Sequence, residues 1–516
     1  MRTWRWRVAV AAGAAGALLV GGQAVAAPGG NGWTTAGGDR QNTRFAASES
    51  KISAANVSGL TTKWAFTTEG DVSATPAVDG QNVYVPDWRG NLYAVNKATG
   101  QQVWRTTAST LTGVGFDKFR ATPALTDTSL VIGNQGPFGG GGAVVAVSKA
   151  TGALLWRTQV ETHPAAIITQ SATVFDGVVY VGVASQEELL SAVVPGYPCC
   201  SFRGSMLALD ARTGAILWRT YMTPANFPGN AVWGSSPAID TKRRTVYVAT
   251  GNNYDAPPET LACVAAATTP EGRAACLPAD NYFDAIVALD MRTGAVKWVT
   301  KALDFDAWTV DCIPFIGDGS NCPEPAGPDY DFGQAPNLFT VASGPMKGRE
   351  LVGAGQKSGQ YWALDPATGA VVWVTQAGPG GTAGGLQWGS ATDGRRVYTA
   401  NANSGGVSWN GANTGVWSGL DAATGELVWE ARPSQGGSTS GPVTTANGVV
   451  FGCSLDPLGH MYALDAADGS ELWRFASGGS CLSGAAISNG TVYWGSGYSN
   501  FGFGTPNNKL FAFGLG

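Results

Sequence analysis

Charge is scarce in this chain: Asp, Glu, Lys and Arg make up 13% of its 516 residues, and the formal balance is −5. A weakly acidic surface of that kind argues against a nucleic-acid partner. No C-x-x-C-H occurs, so haem has no such attachment point. No G-x-G-x-x-G stands at a strand-to-helix junction, and the run Gly139 to Gly142 reads as a loop, which speaks against a nucleotide cofactor. From about Trp64 to Phe513 no linker-like, charged or low-complexity break interrupts the chain. The apolar run Val8 to Val20 is too short and too rich in Ala and Gly for a membrane anchor, and no twin arginine precedes it. With Arg2, Arg5 and Arg7 before it and Ala24-Val25-Ala26 after it, residues 1–26 are expected to form a signal peptide. The remainder, 27–516, is expected to be one domain outside the cytoplasm, with no membrane span.

Glycine is what the chain has in quantity, 73 residues, and it falls in a pattern. Seven times an apolar doublet or triplet, a polar residue, a Thr-Gly or Asp-Gly turn and a Trp recur, as in MLALDARTGAILW ending at Trp218 and IVALDMRTGAVKW ending at Trp298. Alternation of apolar and polar residues on both sides of a glycine turn is the signature of a β-hairpin. Two more strand-like runs precede each hairpin, for example SSPAIDTKRRTVYVATGN. Four strands per repeat suit a propeller blade. The last repeat stops after three strands near Phe511, and LTTKWAF around Trp64 can supply the fourth. The expected fold is all-β: an eight-bladed β-propeller of four-stranded blades, closed by an N-terminal strand that completes the last C-terminal blade. The hairpin tryptophans are expected to pack between blades.

Eight cysteines in an exported chain read as four disulfides. Sequence neighbours suggest Cys263 with Cys276, Cys312 with Cys322 and Cys453 with Cys481, which leaves the adjacent Cys199 and Cys200. In a four-stranded blade the short glycine turns fall on one face of the ring. The loops between the second and third strands and the crossings between blades fall on the other. That second set is long and irregular here, so the functional face is expected there.

The repeats, together with the N-terminal WTTAGGDRQNTRFA and ISAANVSGLTTKW, resemble the quinoprotein alcohol dehydrogenases, and VGVASQEE followed by PCCSFRGS is most similar to their polyvinyl-alcohol branch. The resemblance implies pyrroloquinoline quinone (PQQ) and Ca2+ at the ring axis, an alcohol or polymer substrate whose secondary hydroxyls become ketones, and a separate electron acceptor, a cytochrome or a quinone-like molecule. It carries over Thr169 as a quinone contact, and Glu187 and Asn252 as metal ligands, with Glu188 the rival carboxylate. Oxygen ligands of that type suit a hard cation. Trp233 matches the residue stacked on one quinone face, and a Cys199-Cys200 disulfide would press on the other. Arg203 would bond the cofactor carboxylates, Lys357 the reactive carbonyl, and Gln387 and Trp388 the rim. The family's general base sits in a D-x-W-D segment, whereas here Asp306-Ala307-Trp308-Thr309 places Thr309 in register. Thr cannot remove the hydroxyl proton unaided, which leaves Asp306, Asp311 or His163. Two other readings stand beside this one: a cofactor-free propeller used for binding or assembly, and a quinoprotein acting on small alcohols or sugars. Glu187, Asn252, Lys357 and the adjacent cysteines discriminate against the first, which needs none of them.

Overall fold

The computed structural model of the protein describes residues 32–516, so the expected signal peptide lies outside the described residues. Eight antiparallel sheets follow one another around a ring. In the fourth, Ala238–Asp240 lies innermost, followed outward by Thr245–Ala249, Ala285–Asp290 and Val296–Lys301. The third sheet departs slightly from this plan. Its innermost strand is divided into Ala166–Ile167 and Thr173–Phe175, which pair with opposite ends of Val178–Ser185.

Closure is as the sequence implies. Leu60–Thr67 runs antiparallel to Lys509–Leu515, from Leu60 opposite Leu515 to Thr67 opposite Lys509, and forms the outer strand of the eighth blade. The ring therefore uses the two ends of the described chain to remove a sheet edge.

Blades adhere through the repeat tryptophans. The indole N–H of Trp156 donates to Ala211 O at 2.9 Å, that of Trp218 to Met291 O at 3.0 Å, and that of Trp473 to Leu60 O at 3.1 Å, in each case on the next blade. For Trp156 and Trp218 the six-membered edge of the ring then lies against the glycine of the next blade's turn, Gly214 and Gly294, whereas Trp473 faces the closing blade, which has no such turn, and packs edge-on against Phe513. Gly294 has φ 71°, and a Cβ built there would come within 2.5 Å of Trp218 and 2.7 Å of Thr220. Glycine is required twice over, for the backbone conformation and for the contact. All four disulfides pair as the sequence neighbours suggest: Cys199 with Cys200, Cys263 with Cys276, Cys312 with Cys322, and Cys453 with Cys481.

Gly294→Ala should destabilise the protein by about 1–3 kcal/mol, the usual range for a strained backbone position with a steric clash. Ala295→Gly, one residue on, serves as a control for local flexibility. Denaturant midpoints check both, and a neutral Gly294→Ala would contradict the latch between blades.

Candidate active site

The long loops of blades three to six meet at the ring axis and bring together groups that are far apart in sequence. Two backbone zippers set their register. Asn253 N donates to Asp306 O at 3.1 Å and Trp308 N to Asn253 O at 2.9 Å, so the Asn252 loop and the Asp306 segment lie side by side. Lys357 N donates to Asp331 O at 2.8 Å and ties the fifth blade to the segment 329–331.

Five carboxyl groups converge here: Asp284, Asp306, Asp329 and Asp331, all under 4% exposed, and the half-buried Glu188, whose Oε1 is out of solvent. The cation among them is Lys357, which donates to Asp329 Oδ1 at 2.7 Å and lies 3.5 Å from Asp331 Oδ2. Burial alone would pull the lysine pKa down, but Asp329, Asp331 and Glu188 outweigh it and raise the pKa, so the ammonium is held charged. The carboxyls cannot all be ionised at such spacing. Desolvation pushes Glu188 up to about 8, with Asp331 and Asp306 adding to the shift and Lys357 opposing it. Asp284 is raised well above its ordinary value by burial and then by the charges of Asp306 and Asp331. Asp306, whose oxygens accept from Asp329 N and Tyr330 N at 3.2 and 2.8 Å, is desolvated as well but rises only to about 6.

Several of these polar atoms have no hydrogen-bond partner. Glu188 Oε1, both amide atoms of Gln334 and the Nε and Nη1 of Arg44 are buried and unpaired, whereas the carboxyls of Asp284 and Asp306 share a hydrogen bond. Buried polar groups are normally paired, so a concentration of orphans marks a place built for something else. Asn252 adds to the set. Its amide hydrogens are committed to Asn253 O at 2.9 Å and Trp308 O at 2.8 Å, which leaves the carbonyl oxygen as its ligating atom.

Glu187 and Glu188 do different things. They open the short helix Glu187–Val193, where consecutive side chains diverge by about 100°. Glu187 Oε2 accepts from Phe202 N at 2.7 Å and Ser201 N at 3.0 Å, Oε1 accepts from Ser201 N at 2.9 Å, and Tyr197 and His163 also lie against it. Burial works to raise its pKa, but these donors outweigh that and lower it. Its carboxylate anchors the loop that carries Cys199 and Cys200, while Glu188 faces the axial cluster. The expected metal role of Glu187 thus meets oxygens already engaged by donors.

Other expectations change in the same way. Arg203 turns away from the axis, bonding Thr223 O at 3.2 Å through Nε, with its guanidinium 4.1 Å from the Tyr221 ring centroid. Asp311 is engaged with the disulfide loop, accepting from Gly319 N at 3.1 Å and Asn321 N at 2.6 Å. His163 Nε2 meets Ser201 Oγ at 3.0 Å, and its Nδ1 accepts from Ala165 N at 3.2 Å, so this ring braces the cysteine loop. Thr309 Oγ1 donates to Asn321 O at 3.0 Å. Of the candidate bases, the axial cluster contains Asp306.

Trp233 sits beside this cluster, its indole N–H donating to Asp331 Oδ2 at 2.7 Å and its ring 5.2 Å from that of Trp388. Trp233 and Cys200 pack against the same hydrophobic core. Gln387 is buried next to Trp388 and bridges to Gly333. Farther along the axis, a cavity is lined by Arg44, Arg120, Thr169, Ser235 and Trp388. Arg44 is wholly buried, donates to Trp388 O at 3.1 Å, and is lowered by desolvation to about 9. Arg120 lies 4.0 Å from the Trp388 ring centroid, and burial lowers its pKa too. These two arginines, with Asp284, Asp329 and Asp331, escaped sequence reasoning. The acidic pair in GPDYDFG and the arginines in NTRFA and KFRATP were the available signals, each in a crossing or an entry segment on the functional face.

As a test of fit, the carboxylate of Glu188 and the amide oxygen of Asn252 suit a hard cation, and Arg44 and Arg120 suit an anionic ligand. Among the described residues no three His, Cys, Asp or Glu side chains form a ready cation cage. The free space in the axial cavity is about 50 Å³, so a tricyclic ligand would have to part the Arg120–Trp388 stack.

Comparison with known proteins gives a consistent picture. A family model described as outer membrane protein assembly factor BamB matches residues 48–300 and 357–514. The polyvinylalcohol dehydrogenase of Sphingopyxis sp. (strain 113P3) is 32% identical, over 94% of this chain and 76% of its own. That of Pseudomonas sp. is 31% identical, over 91% and 73%. The crystal structure of quinohemoprotein alcohol dehydrogenase from Comamonas testosteroni superposes with a TM-score of 0.70 at 20% identity, covering 94% of this chain and 81% of that one.

Asp284 yields a prediction about stability. A carboxyl raised in the folded state contributes fully below its unfolded pKa, near 3.8, and loses that contribution as the pH climbs toward the folded value. Asp284→Asn cannot ionise and escapes the loss. In metal-free protein, the melting temperature of the variant relative to wild type should therefore shift in the variant's favour from pH 4 to pH 8. The opposite trend would mean that Asp284 is held as an anion.

Proposed function

Because the chain belongs to the quinoprotein alcohol dehydrogenases of the polyvinyl-alcohol type, we propose that it uses PQQ and Ca2+ at the ring axis to oxidise secondary alcohols to ketones. Its substrates include a polymer of the polyvinyl alcohol kind, and its electrons pass to a separate acceptor. The observation that carries this reading is the cluster of five carboxyls around one lysine, with Glu188 Oε1 buried and left unpaired. A cofactor-free propeller gains nothing from such a cluster, which strains its interior at neutral pH.

In this reading Glu188 Oε1 and Asn252 Oδ1 would be the protein's oxygen ligands to the cation, a donor type that suits a hard ion. Arg44 and Arg120 take the cofactor's carboxylates by charge-assisted hydrogen bonds. Trp233 and the Cys199–Cys200 disulfide, which pack against the same core, would hold the quinone ring. Lys357, kept cationic by Asp329 and Asp331, donates toward the carbonyl that is reduced. Thr169, Gln387 and Trp388 line the remaining walls. When bound, the quinone supplies the two-electron acceptor and the cation polarises it.

The protein's own chemical task is proton removal. Asp306 fits it: backbone N–H groups orient both oxygens, and a pKa raised to about 6 leaves it ionised yet basic at neutral pH. Asp284 beside it is held protonated. Asp331 is fixed by Asn252 N at 2.8 Å and by Trp233, so it aligns the neighbouring groups.

Placement outside the cytoplasm is part of the proposal. Four disulfides with no free cysteine among the described residues fit an oxidising compartment. No helix among the described residues is long and apolar enough to cross a membrane.

Purified protein supplied with PQQ and Ca2+ should reduce an artificial dye with a secondary alcohol, and omission of either should abolish the reaction. Asp306→Asn should lower turnover on the order of 100-fold or more while quinone stays bound, the typical weight of a general base. Near-normal turnover would remove Asp306 from that role. Glu188→Gln should weaken Ca2+-dependent quinone binding, followed by absorbance, more than Glu187→Gln does. The reverse order would return the metal to Glu187.

A further inference from the structure

The axial cavity beside Trp388 has a charge imbalance opposite to that of the carboxyl cluster. Arg44 and Arg120 stand in its wall with Ser73, Thr122, Thr169 and Ser171, and no Asp or Glu does. No carboxylate offsets the loss of water at either arginine. Desolvation alone lowers the Arg44 pKa, and at Arg120 only the Tyr498 phenol acts against it. A buried cation without a counter-charge is strongly disfavoured, so the empty protein carries an unmet demand for an anion.

A structural duty accounts for only one nitrogen of Arg44. Its Nη2 donates to Trp388 O at 3.1 Å, whereas Nε and Nη1 are out of solvent and unpartnered in a side chain that is 1% exposed. A Cβ built at Gly484 would come within 2.5 Å of Thr75 Oγ1, 2.9 Å of Pro442 and 3.4 Å of Arg44 Nη1. Thr75 and Pro442 both line the cavity, which puts Nη1 on its side. The backbone is strained around it as well: the lining residues Arg44, Ser235 and Trp388 have φ of 51°, 43° and 64°. Non-glycine residues in that conformation gather at ligand sites.

Hydroxyls complete the donor set. Ser73 Oγ accepts from Trp88 Nε1 at 2.8 Å and Ser171 Oγ accepts from Thr122 N at 2.9 Å, so each keeps its own proton to give. Cationic and hydroxyl donors without any carboxylate exclude a metal ion or an amine as the occupant. Size narrows the choice further. The free space is about 50 Å³, and at about 10–15 Å³ for a water-sized group that is room for roughly three to five heavy atoms.

We propose that in the cofactor-free protein this cavity holds one tetrahedral inorganic oxyanion, phosphate or sulfate, between Arg44 and Arg120. The anion neutralises the two guanidiniums and keeps the axis assembled until a larger ligand displaces it. The anion site stands apart from the quinone reaction. That the displacing ligand is PQQ rests on the function proposed above.

The test is calorimetry on the full-length protein free of metal and cofactor, titrated with inorganic phosphate and, separately, with sulfate, against chloride at equal ionic strength. One oxyanion should bind per chain and raise the melting temperature, as a ligand of the folded state does, where chloride does not. Arg44→Gln and Arg120→Met should each weaken binding about tenfold or more, the weight of a charge-assisted hydrogen bond. Arg120 is only half-buried, so its variant decides the matter if Arg44→Gln does not fold. Lys118→Gln removes a nearby cation that does not line the cavity, and should bind the anion as wild type does. Binding of phosphate but not sulfate would narrow the occupant to phosphate. The site is overturned if neither oxyanion binds beyond the chloride control, if the arginine variants bind unchanged, or if Lys118→Gln loses as much affinity as they do. Sulfate, which leaves Ca2+ in solution, should also raise the PQQ concentration needed for half-loading, followed by absorbance. Simultaneous binding of sulfate and PQQ would overturn the displacement. A protein that takes up no PQQ at all refutes the proposed function, and the calorimetry still decides the anion site.

Discussion

Everything at the ring axis depends on one strand pairing, Leu60–Thr67 against Lys509–Leu515. Before that ladder forms, eight sheets in series have two free edges and no common centre. Afterwards the long loops must all point inward on one face, and groups separated by up to a few hundred residues come into contact. Lys357 beside Asp329, Asn252 against Trp308, and Arg44 against Trp388 are consequences of closure. Arg44 shows this most directly. It belongs to the N-terminal segment, yet it bonds the sixth blade's crossing, 344 positions away in sequence.

Closure also creates the principal tension in the molecule. The axis of a propeller is a narrow tube shielded from water, and carboxyls placed there lose hydration that no hydrogen bond fully restores. One lysine among five carboxyls leaves an excess of negative charge, and the protein answers by holding protons on Asp284 and Glu188. In the proposed function the same excess is what would draw a divalent cation in place of those protons. Rigidity elsewhere makes the arrangement sustainable: indoles locked on glycine turns between blades, and disulfides that fasten the longest loops.

Much of this was legible in the chain, for reasons that differ by level. The blades were readable because a hairpin is a local object with period-2 alternation and an obligatory turn glycine, repeated often enough to expose its own rule. Ring closure followed from counting strands. The disulfides were readable because each joins cysteines within one loop or between neighbouring loops, at separations of 1 to 28 residues. Site residues were harder. Sequence could place Glu187 and Glu188 in the right loop, but not say which one a helical start turns toward the axis. Arg203 looked like a cofactor ligand by its nearness to the cysteines, and only the position of Thr223 O and Tyr221 shows that it faces the outer strand. Asp329 and Asp331 had no spacing rule to betray them, since their partner Lys357 lies on a different blade element.

The two adjacent glutamates show how the scaffold and the chemistry are kept apart within one turn of helix. Glu187, with its pKa lowered by Ser201 N, Phe202 N and His163, is a fixed anion whose task is to hold the cysteine loop. Glu188, with its pKa raised by desolvation and its Oε1 left without a partner, is the carboxyl proposed to exchange a proton for a cation. Had one carboxylate done both, every change of charge at the axis would have loosened the disulfide that is proposed to press on the cofactor. Dividing the tasks lets the axial charge change while the loop stays in place. By the same logic Asp311 and His163, both plausible bases by composition, serve best as braces. Donor count does not separate Asp306 from Asp311, since each accepts from two backbone N–H groups; what separates them is place, because Asp306 alone of the three lies in the axial carboxyl cluster, where burial raises its pKa to about 6.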